Sequence, residues 1–206
     1  MPSYKLNYFD VRGFGEGARL IFHYAGQKFE DNRITQEQWP KIKPTSDTGK
    51  APWLEIDKER LYESAAIGRY LGNTFGLAGK DALENAQIDS IIDTYKDFIN
   101  DVRPFFMVKS GRGDGKLKLE DVQPKYDEDV KKWYTYLQKR LEKVGSGYVA
   151  SKLSWADFFL AEAIQTAMNF DADFAKKFPK IVEYKKKVHS NPKIKDYVEK
   201  RPESQF

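Results

Sequence analysis

A hairpin followed by the start of a helix is predicted from residues 50–64, which read KAPWLEIDKERLYES. Apolar and polar residues alternate from Pro52 onward, which predicts a strand over 52–57 and, after a tight turn, a second strand over 60–62. A proline is tolerated at the first position of a strand. Ser64 then begins a helical pattern that extends to about residue 75, and we expect this serine to be the N-cap.

The segment before the hairpin predicts a β-α-β unit. Tyr4 to Tyr8 alternates in the manner of a strand, residues 18–25 place apolar side chains on one helical face, and Phe29 to Ile34 indicates another strand. Gly26 is expected to end the helix in a left-handed conformation. A β-α-β unit followed by a hairpin and a helix predicts a small mixed sheet with helices on both faces, which is a thioredoxin-like arrangement.

The pattern changes after residue 75. Gly76 to Lys80 indicates a linker, and the apolar stripes that follow have only helical spacing. The sequence therefore predicts an α/β thioredoxin-like N-terminal domain over 1–75, a linker over 76–82 and an all-α helical C-terminal domain over 83–206. In the helical part, Ser154 and Asp157 fit a capping box.

Composition excludes several kinds of site and partner. The chain has no cysteine and two histidines, which excludes disulfides, thiolate metal sites and cysteine nucleophiles and argues against a histidine metal site. A net charge of +4, evenly spread, does not indicate a nucleic-acid partner. No apolar run reaches the roughly 20 residues needed to span a bilayer, and the first residues lack a signal peptide's apolar stretch. We therefore expect a cytoplasmic protein with no membrane partner.

Two segments of the N-terminal part are candidates for a ligand site. Residues 13–18, GFGEGA, match the dinucleotide pattern G-x-G-x-x-G/A. The acidic residue expected about 20 positions later is not obvious, which favours a loop beside a substrate instead. Ala51 would face a peptide-like ligand if the bond to Pro52 were cis, since the ligand could then pair as an added strand. An ordinary proline at a strand start is the alternative.

Charged residues supply further candidates. Glu63 and Ser64 lie where a strand meets a helix, so the helix N-terminus could hold a carboxylate and Glu63 an ammonium, as an amino-acid head group requires. Four aspartates recur every four residues along one predicted helix, which indicates either a solvated face or a positively charged partner. These aspartates are Asp89, Asp93, Asp97 and Asp101. Tyr8 stands out only because it ends a strand beside the glycine-rich loop.

Taken together, these segments resemble the cytosolic glutathione transferases, and within them the sigma class. The resemblance spans essentially the whole chain and rests on several motifs in the same order. The motifs are YFDVRG at 8–13, GARLIF at 17–22, WPKIK at 39–43, GKAP at 49–52, the Glu63-Ser64 pair before AIGRYL at 66–71, and LSWAD at 153–157.

The resemblance implies a function and a set of site residues. Tyr8 would donate a hydrogen bond to the sulfur of glutathione, the co-substrate, and no cofactor or metal would be needed. The residues implied to hold glutathione, from its glycine end to its γ-glutamyl end, are Trp39, Lys43, Lys50, Ala51, Pro52, Glu63 and Ser64. Asp97 would reach the glutathione bound by the other subunit, which implies a homodimer.

The implied reaction is conjugation of the glutathione thiol to small hydrophobic electrophiles, which is a detoxification activity. Candidates for the electrophile pocket are Phe9, Phe14, Ile99 and Phe206. The alternatives are a ligand-sequestering protein of the same fold, a glutathione-dependent prostaglandin isomerase, and a structural protein such as the lens crystallins of this class.

Three positions depart from the sigma-class pattern. Phe14 stands where an arginine is common near the sulfur, so the thiol pKa should be higher and the second pocket more apolar. Glu63 stands where glutamine is common. Lys96 stands where the vertebrate prostaglandin D synthases have an aspartate of their metal-responsive cluster, so we expect no divalent-metal effect and no dedicated prostaglandin role.

Overall fold

The computed structural model describes residues 2–206; Met1, the first residue of the predicted N-terminal domain, lies outside the described residues. The elements are β1 (Tyr4–Phe9), α1 (Glu16–Ala25), β2 (Glu30–Ile34), α2 (Trp39–Ile42), β3 (Trp53–Ile56), β4 (Glu59–Tyr62), α3 (Ser64–Thr74), α4 (Ala82–Lys109), α5 (Leu119–Val144), α6 (Trp155–Phe170), α7 (Phe174–Lys177), α8 (Pro179–His189) and α9 (Lys195–Lys200). A 3-10 turn over Lys43–Thr45 follows α2.

The first half of the chain forms the predicted mixed sheet. Its strand order is β2-β1-β3-β4, with β1 parallel to β2 and antiparallel to β3. The parallel pair requires the α1 crossover, and the β3–β4 pair is the hairpin predicted from residues 52–62. Gly26 ends α1 with φ 63°, as expected from its position after the last apolar residue.

Helices make up the rest of the fold, as predicted. Asp81 caps α4 by accepting a hydrogen bond from the Glu84 amide at 2.8 Å. The capping box of α6 is confirmed, because Asp157 accepts from the Ser154 amide at 2.7 Å. Asp157 also accepts from the Tyr184 hydroxyl at 2.7 Å, so a buried carboxylate joins the start of α6 to α8.

Glycines allow the helices of the two halves to approach closely. A Cβ added at Gly68 or Gly72 of α3 would collide with the indole of Trp155, and one at Gly17 of α1 with the ring of Phe159. Trp155 and Phe159 are both buried on α6. These small residues therefore let the first turns of α6 pack directly onto the helices that cover the sheet.

A buried cluster of charges joins the loop after β1 to α6 and the last segment of the chain. The carboxylate of Glu162 accepts hydrogen bonds from Arg12 at 2.8 Å, Arg201 at 2.8 Å and His189 Nε2 at 2.9 Å. Burial opposes the Glu162 charge, but the His189 hydrogen bond and the two guanidinium groups hold its pKa well below the ordinary value. His189 is itself a neutral donor, since burial lowers its pKa.

Replacing Glu162 should reveal how strongly this cluster stabilises the fold. Glu162→Gln leaves the buried guanidinium of Arg12 without a countercharge and removes one of the two carboxylates that Arg201 binds, so we expect the free energy of unfolding to fall by about 3 kcal/mol. A carboxyl group whose pKa is lower in the folded than in the unfolded protein stabilises the fold at pH values above the unfolded pKa of about 4.3. This stabilisation is lost progressively as the pH falls below that unfolded pKa. The difference in the free energy of unfolding between the wild type and Glu162→Gln should therefore be smaller at acidic pH than at pH 7. Urea titrations at one protein concentration, at pH 7 and pH 4, measure both effects.

The matched control is Glu142→Gln, which removes an exposed carboxylate paired with Lys180 at 2.9 Å. An exposed pair contributes little to stability, so this variant should unfold close to the wild type. Equal losses in the two variants would contradict a stabilising role for the buried cluster.

Candidate functional site

Tyr8 lies near the end of β1, with its side chain only 6 % exposed. Its hydroxyl oxygen accepts a hydrogen bond from the Phe14 amide at 3.0 Å. A Cβ added at Gly13 or Gly15 would collide with the tyrosine side chain, and Gly13 has φ 36°. The glycines of residues 13–18 therefore make room for Tyr8, which explains the dinucleotide-like spacing without a nucleotide.

The environment of Tyr8 keeps its hydroxyl protonated. Burial raises the pKa of Tyr8, while the Phe14 amide and the charges of Arg19 and Arg103 act in the opposite direction with smaller effect. The hydroxyl proton finds no acceptor among residues 2–206. Tyr8 is therefore a neutral donor whose oxygen is already polarised by an accepted hydrogen bond.

Arg19 fixes the path of the chain from β1 into α1. Its fully buried guanidinium donates to the carbonyl of Val11 at 2.7 Å and to that of Phe9 at 3.2 Å. It also binds the carboxylates of Glu16 at 2.9 Å and Asp31 at 3.0 Å. Arg19 was not among the site residues predicted from the sequence, although the i, i+3 spacing of Glu16 and Arg19 in an apolar helix is a visible signal.

Arg12, which was also not predicted as a site residue, holds the end of the chain against the same loop. Its amide donates to the carbonyl oxygen of Phe206 at 3.0 Å. Its guanidinium donates to the carbonyl oxygens of Ser204 and Gln205, each at 3.3 Å, and to Glu162. The position of Phe206 therefore depends on Arg12.

The residues expected to hold a carboxylate form a positively charged region. Trp39 begins α2 and is half-buried, with its ring centroid 5.0 Å from that of Phe9. Lys43 and Lys50 are exposed, and within the described chain neither has a carboxylate within 4.0 Å. Ser46 donates to the carbonyl of Lys50 at 2.8 Å, which fixes the loop that carries both lysines.

The peptide bond between Ala51 and Pro52 is cis, which is the condition under which Ala51 was expected to face a peptide-like ligand. Pairing of β3 with β1 begins only at Trp53, opposite Asn7. The backbone groups of Ala51 therefore lie before the first paired residue of the ladder, where an extended peptide can reach them.

Glu63, not Ser64, is the N-cap of α3. Glu63 has φ 68° and ψ 121°, so the chain turns into the helix one residue earlier than expected and Ser64 becomes the first helical residue. The expectation that Ser64 caps the helix is therefore wrong. The first amide groups of α3 have no intrahelical acceptors and remain suited to an anion.

The aspartates of α4 divide into one paired residue and three unpaired ones. Asp89 binds Arg69 of α3 at 2.8 Å. Asp93, Asp97 and Asp101 are exposed, with no basic group within 4.0 Å in the part of the chain that the structure describes. On the same helix, Nζ of Lys96 lies 3.3 Å from Oε2 of Glu63.

The four residues predicted to line the electrophile pocket lie on four segments, which are β1, the loop before α1, α4 and the segment after α9. Phe9 packs between Tyr8 and Trp39, with ring centroids 5.6 and 5.0 Å away. Phe14 lies in the loop that contacts the Tyr8 hydroxyl, and Ile99 is partly buried on α4. The ring of Phe206 lies 5.0 Å from that of Phe170.

Residues 2–206 contain neither a cluster of metal-binding side chains nor a helix that could span a membrane. No three side chains of histidine, cysteine, aspartate or glutamate come together as a metal-binding group. No helix within that range is long and apolar enough to span a bilayer.

Comparison with known proteins gives the family of the chain and several relatives. Residues 4–73 match the family described as Glutathione S-transferase, N-terminal domain, and residues 96–201 match Glutathione S-transferase, C-terminal domain. The chain is 45 % identical to Glutathione S-transferase 1 of Ascaris suum and 43 % identical to Probable glutathione S-transferase 7 of Caenorhabditis elegans. Each of these alignments covers 100 % of this chain and 100 % of the relative.

Solved structures show the same similarity in three dimensions. Monomeric Na-GST-3 from Necator americanus is 40 % identical with a TM-score of 0.91, over 99 % of this chain and all of that one. A Nu-class GST from Haemonchus contortus is 41 % identical with a TM-score of 0.85 and full coverage. Prostaglandin synthase D of Nilaparvata lugens is 36 % identical with a TM-score of 0.88, over 98 % of this chain and all of that one. The chain therefore belongs to the glutathione S-transferase family.

Proposed function

We propose that this protein conjugates glutathione to small hydrophobic electrophiles, with Tyr8 as the residue that activates the thiol. The observation that carries the proposal is the Tyr8 hydroxyl, which is buried, protonated and polarised by the Phe14 amide. A hydrogen bond from this hydroxyl to the sulfur stabilises the thiolate and lowers the thiol pKa below its ordinary value of about 8.5. The thiolate is the nucleophile.

The conjugation step needs no cofactor. The thiol proton leaves to solvent, the sulfur forms a bond to the electrophilic carbon, and the leaving group departs with the electrons of the broken bond. Tyr8 keeps its proton throughout and acts only by hydrogen bonding. The positive charge of Arg103 on α4 acts to lower the pKa of Tyr8, and the same charge would favour a thiolate beside Tyr8, where Phe14 supplies no charge.

The same proposal assigns the two ends of glutathione to opposite charges of the protein. Lys43 and Lys50, with Trp39, bind the glycine carboxylate, because both ammonium groups are unpaired within the described chain. Ala51, before cis-Pro52, pairs with the cysteinyl backbone. Glu63 and Ser64, at the start of α3, bind the γ-glutamyl end.

The second substrate meets the thiolate on an apolar surface. We assign this surface to Phe9, Phe14, Ile99 and Phe206. Phe14 is the residue that distinguishes it, since an aromatic ring here in place of an arginine favours uncharged, hydrophobic electrophiles.

A second candidate activity is a glutathione-dependent isomerisation of prostaglandins. The likeness to the structure titled prostaglandin synthase D supports it, at 36 % identity. Lys96, a cation in place of the aspartate of the vertebrate enzymes, counts against it. Conjugation is therefore the function that we favour.

Finer assignments also stay proposals. The motifs of this chain favour the sigma class, whereas one structural relative is titled a Nu-class enzyme. We further propose domains over 1–75 and 83–206 joined by 76–82, and a cytoplasmic location.

Tyr8→Phe should separate chemistry from binding. Loss of a hydrogen bond to a charged sulfur should slow conjugation of glutathione to a chromogenic aryl halide about 10- to 100-fold and move the thiol pKa upward. Glutathione affinity should change little, because the phenyl ring keeps the packing. Initial rates from pH 6 to 9 and calorimetry measure the two quantities.

The control is Tyr136→Phe, which alters a tyrosine on α5 whose side chain is 40 % exposed. Equal activity of Tyr8→Phe and wild type would remove Tyr8 from the mechanism. A wild-type protein that binds glutathione but catalyses no conjugation would favour a ligand-sequestering role.

Gly15→Ala should lower activity without touching any functional group. The added methyl group collides with the Tyr8 ring, so the hydroxyl must shift away from the sulfur and from the Phe14 amide. We expect kcat to fall at least tenfold with glutathione affinity retained. Gly113→Ala is the matched control, because its Cβ would meet no atom closer than 3.7 Å. Full activity of Gly15→Ala would show that Tyr8 needs no fixed position.

A homodimer with shared sites is the proposed active form. The supporting observation is Asp97, exposed and unpaired within residues 2–206 on a helix that carries three such aspartates. Sedimentation should give about twice the chain mass of 23.9 kDa, and Asp97→Asn should raise KM for glutathione several-fold while kcat holds. Asp101→Asn is the control. A fully active monomer would contradict the proposal; the relative titled monomeric makes this a real alternative.

A further inference from the structure

The ion pair between Lys96 and Glu63 joins two segments of the proposed glutathione site. Nζ of Lys96 lies 3.3 Å from Oε2 of Glu63, and the side chains are 38 % and 54 % exposed. Their contact is long for a charge-assisted hydrogen bond. An exposed pair of this kind adds little to stability, and the shorter Arg69–Asp89 pair at 2.8 Å already joins α3 to α4. A contribution to stability therefore does not explain why Lys96 lies beside Glu63.

Charge balance at the start of α3 gives such a reason. The γ-glutamyl end of glutathione carries both an ammonium and an α-carboxylate. Glu63 supplies one carboxylate, of which Oε1 has no partner among residues 2–206 and can accept from the ligand ammonium. The function proposed above gives the ligand α-carboxylate only the helix amide groups and Ser64 as partners, without a cationic side chain. Lys96 is the one described ammonium group within 4.0 Å of Glu63.

The ammonium of Lys96 has capacity for a second acceptor. It carries three N–H donors, and its only hydrogen bond within the described chain is the one to Glu63. It is also accessible to solvent, so a ligand can reach it. A ligand carboxylate that accepts a hydrogen bond from Lys96 would make the charges alternate in sign from this carboxylate through Lys96 and Glu63 to the ligand ammonium.

We propose that Lys96 binds the α-carboxylate of the γ-glutamyl unit of glutathione, within the subunit whose Glu63 it contacts. The inference rests on the proposed function. Lys96 is then a binding residue, several bonds away from the thiol, and it governs glutathione affinity and not the rate of the chemical step. Its neighbour Asp97 on the same helix serves the glutathione of the other subunit.

The test compares two ligands that differ only in the group that Lys96 should bind. The first is glutathione, and the second is 4-aminobutanoyl-cysteinylglycine, which keeps the ammonium and lacks the α-carboxylate. Calorimetry on the full-length wild type and on Lys96→Ala gives four dissociation constants. We expect Lys96→Ala to weaken glutathione about tenfold and to leave the analogue unchanged, because only glutathione loses a charge-assisted hydrogen bond.

Two further variants sharpen the comparison. Lys96→Arg keeps the cation and should retain most of the glutathione affinity. Lys132→Ala removes an exposed lysine of α5 and should change neither constant. With an aryl halide and saturating glutathione, kcat of Lys96→Ala should equal that of the wild type.

Other outcomes overturn the inference in distinct ways. Tighter binding of both ligands by Lys96→Ala would show that Lys96 competes with the ligand ammonium for Glu63. Equal weakening of both ligands would show a structural role, and an unchanged affinity for glutathione would show no role at all. A wild type that binds no glutathione would overturn the proposed function itself, and the inference with it.

Discussion

The buried ion pair between Arg12 and Glu162 connects the two halves of the molecule at the point where the site is built. Its oxygen-to-nitrogen distance is 2.8 Å, and both side chains are almost fully buried. Arg12 directly precedes the glycine loop whose Phe14 amide contacts Tyr8, whereas Glu162 belongs to α6 of the helical half. A buried charge that loses its partner is strongly destabilising, so the loop has little freedom to leave α6. The geometry around Tyr8 therefore depends on a contact made 150 residues away.

Much of this fold could be predicted from local patterns. Each of these patterns depends only on residues that lie a few positions apart. They are the alternation over residues 4–8 and 52–57, Gly26 after an apolar helix, and the Ser154–Asp157 capping box. The buried pairing of Arg12 with Glu162 could not be predicted, because the two residues are far apart in the chain and ordinary solvated charges have the same local pattern. The glycines at 13 and 15 illustrate the same limit. Their spacing is shared with dinucleotide sites, and only the structure shows that the Tyr8 ring occupies the space they leave.

The candidate site combines groups that differ in how strongly the fold fixes them. Tyr8 is enclosed, and its hydroxyl is held by a backbone amide, so its position follows from the packing of β1 and α1. Lys43 and Lys50 are exposed and lie on a loop that is fixed by Ser46. This division suits the proposed reaction. A thiolate needs one donor at a set distance, whereas a carboxylate at the end of a flexible peptide needs only nearby positive charge, which ammonium groups on long side chains supply.

The alternation of charge along α4 has a physical consequence for a shared site. Asp93, Asp97 and Asp101 are unpaired within the described chain, and like charges four residues apart destabilise a helix. Cations that approach these aspartates, either from a partner subunit or from bound ligands, would offset this repulsion. Lys96 contacts Glu63 beside this row of aspartates, so the adjacent residues Lys96 and Asp97 of one helix carry opposite charges and have different proposed partners. One copy of α4 would thereby bind the carboxylate of one glutathione through Lys96 and the ammonium of another through Asp97, so each head group would receive its two countercharges from the helices of both subunits.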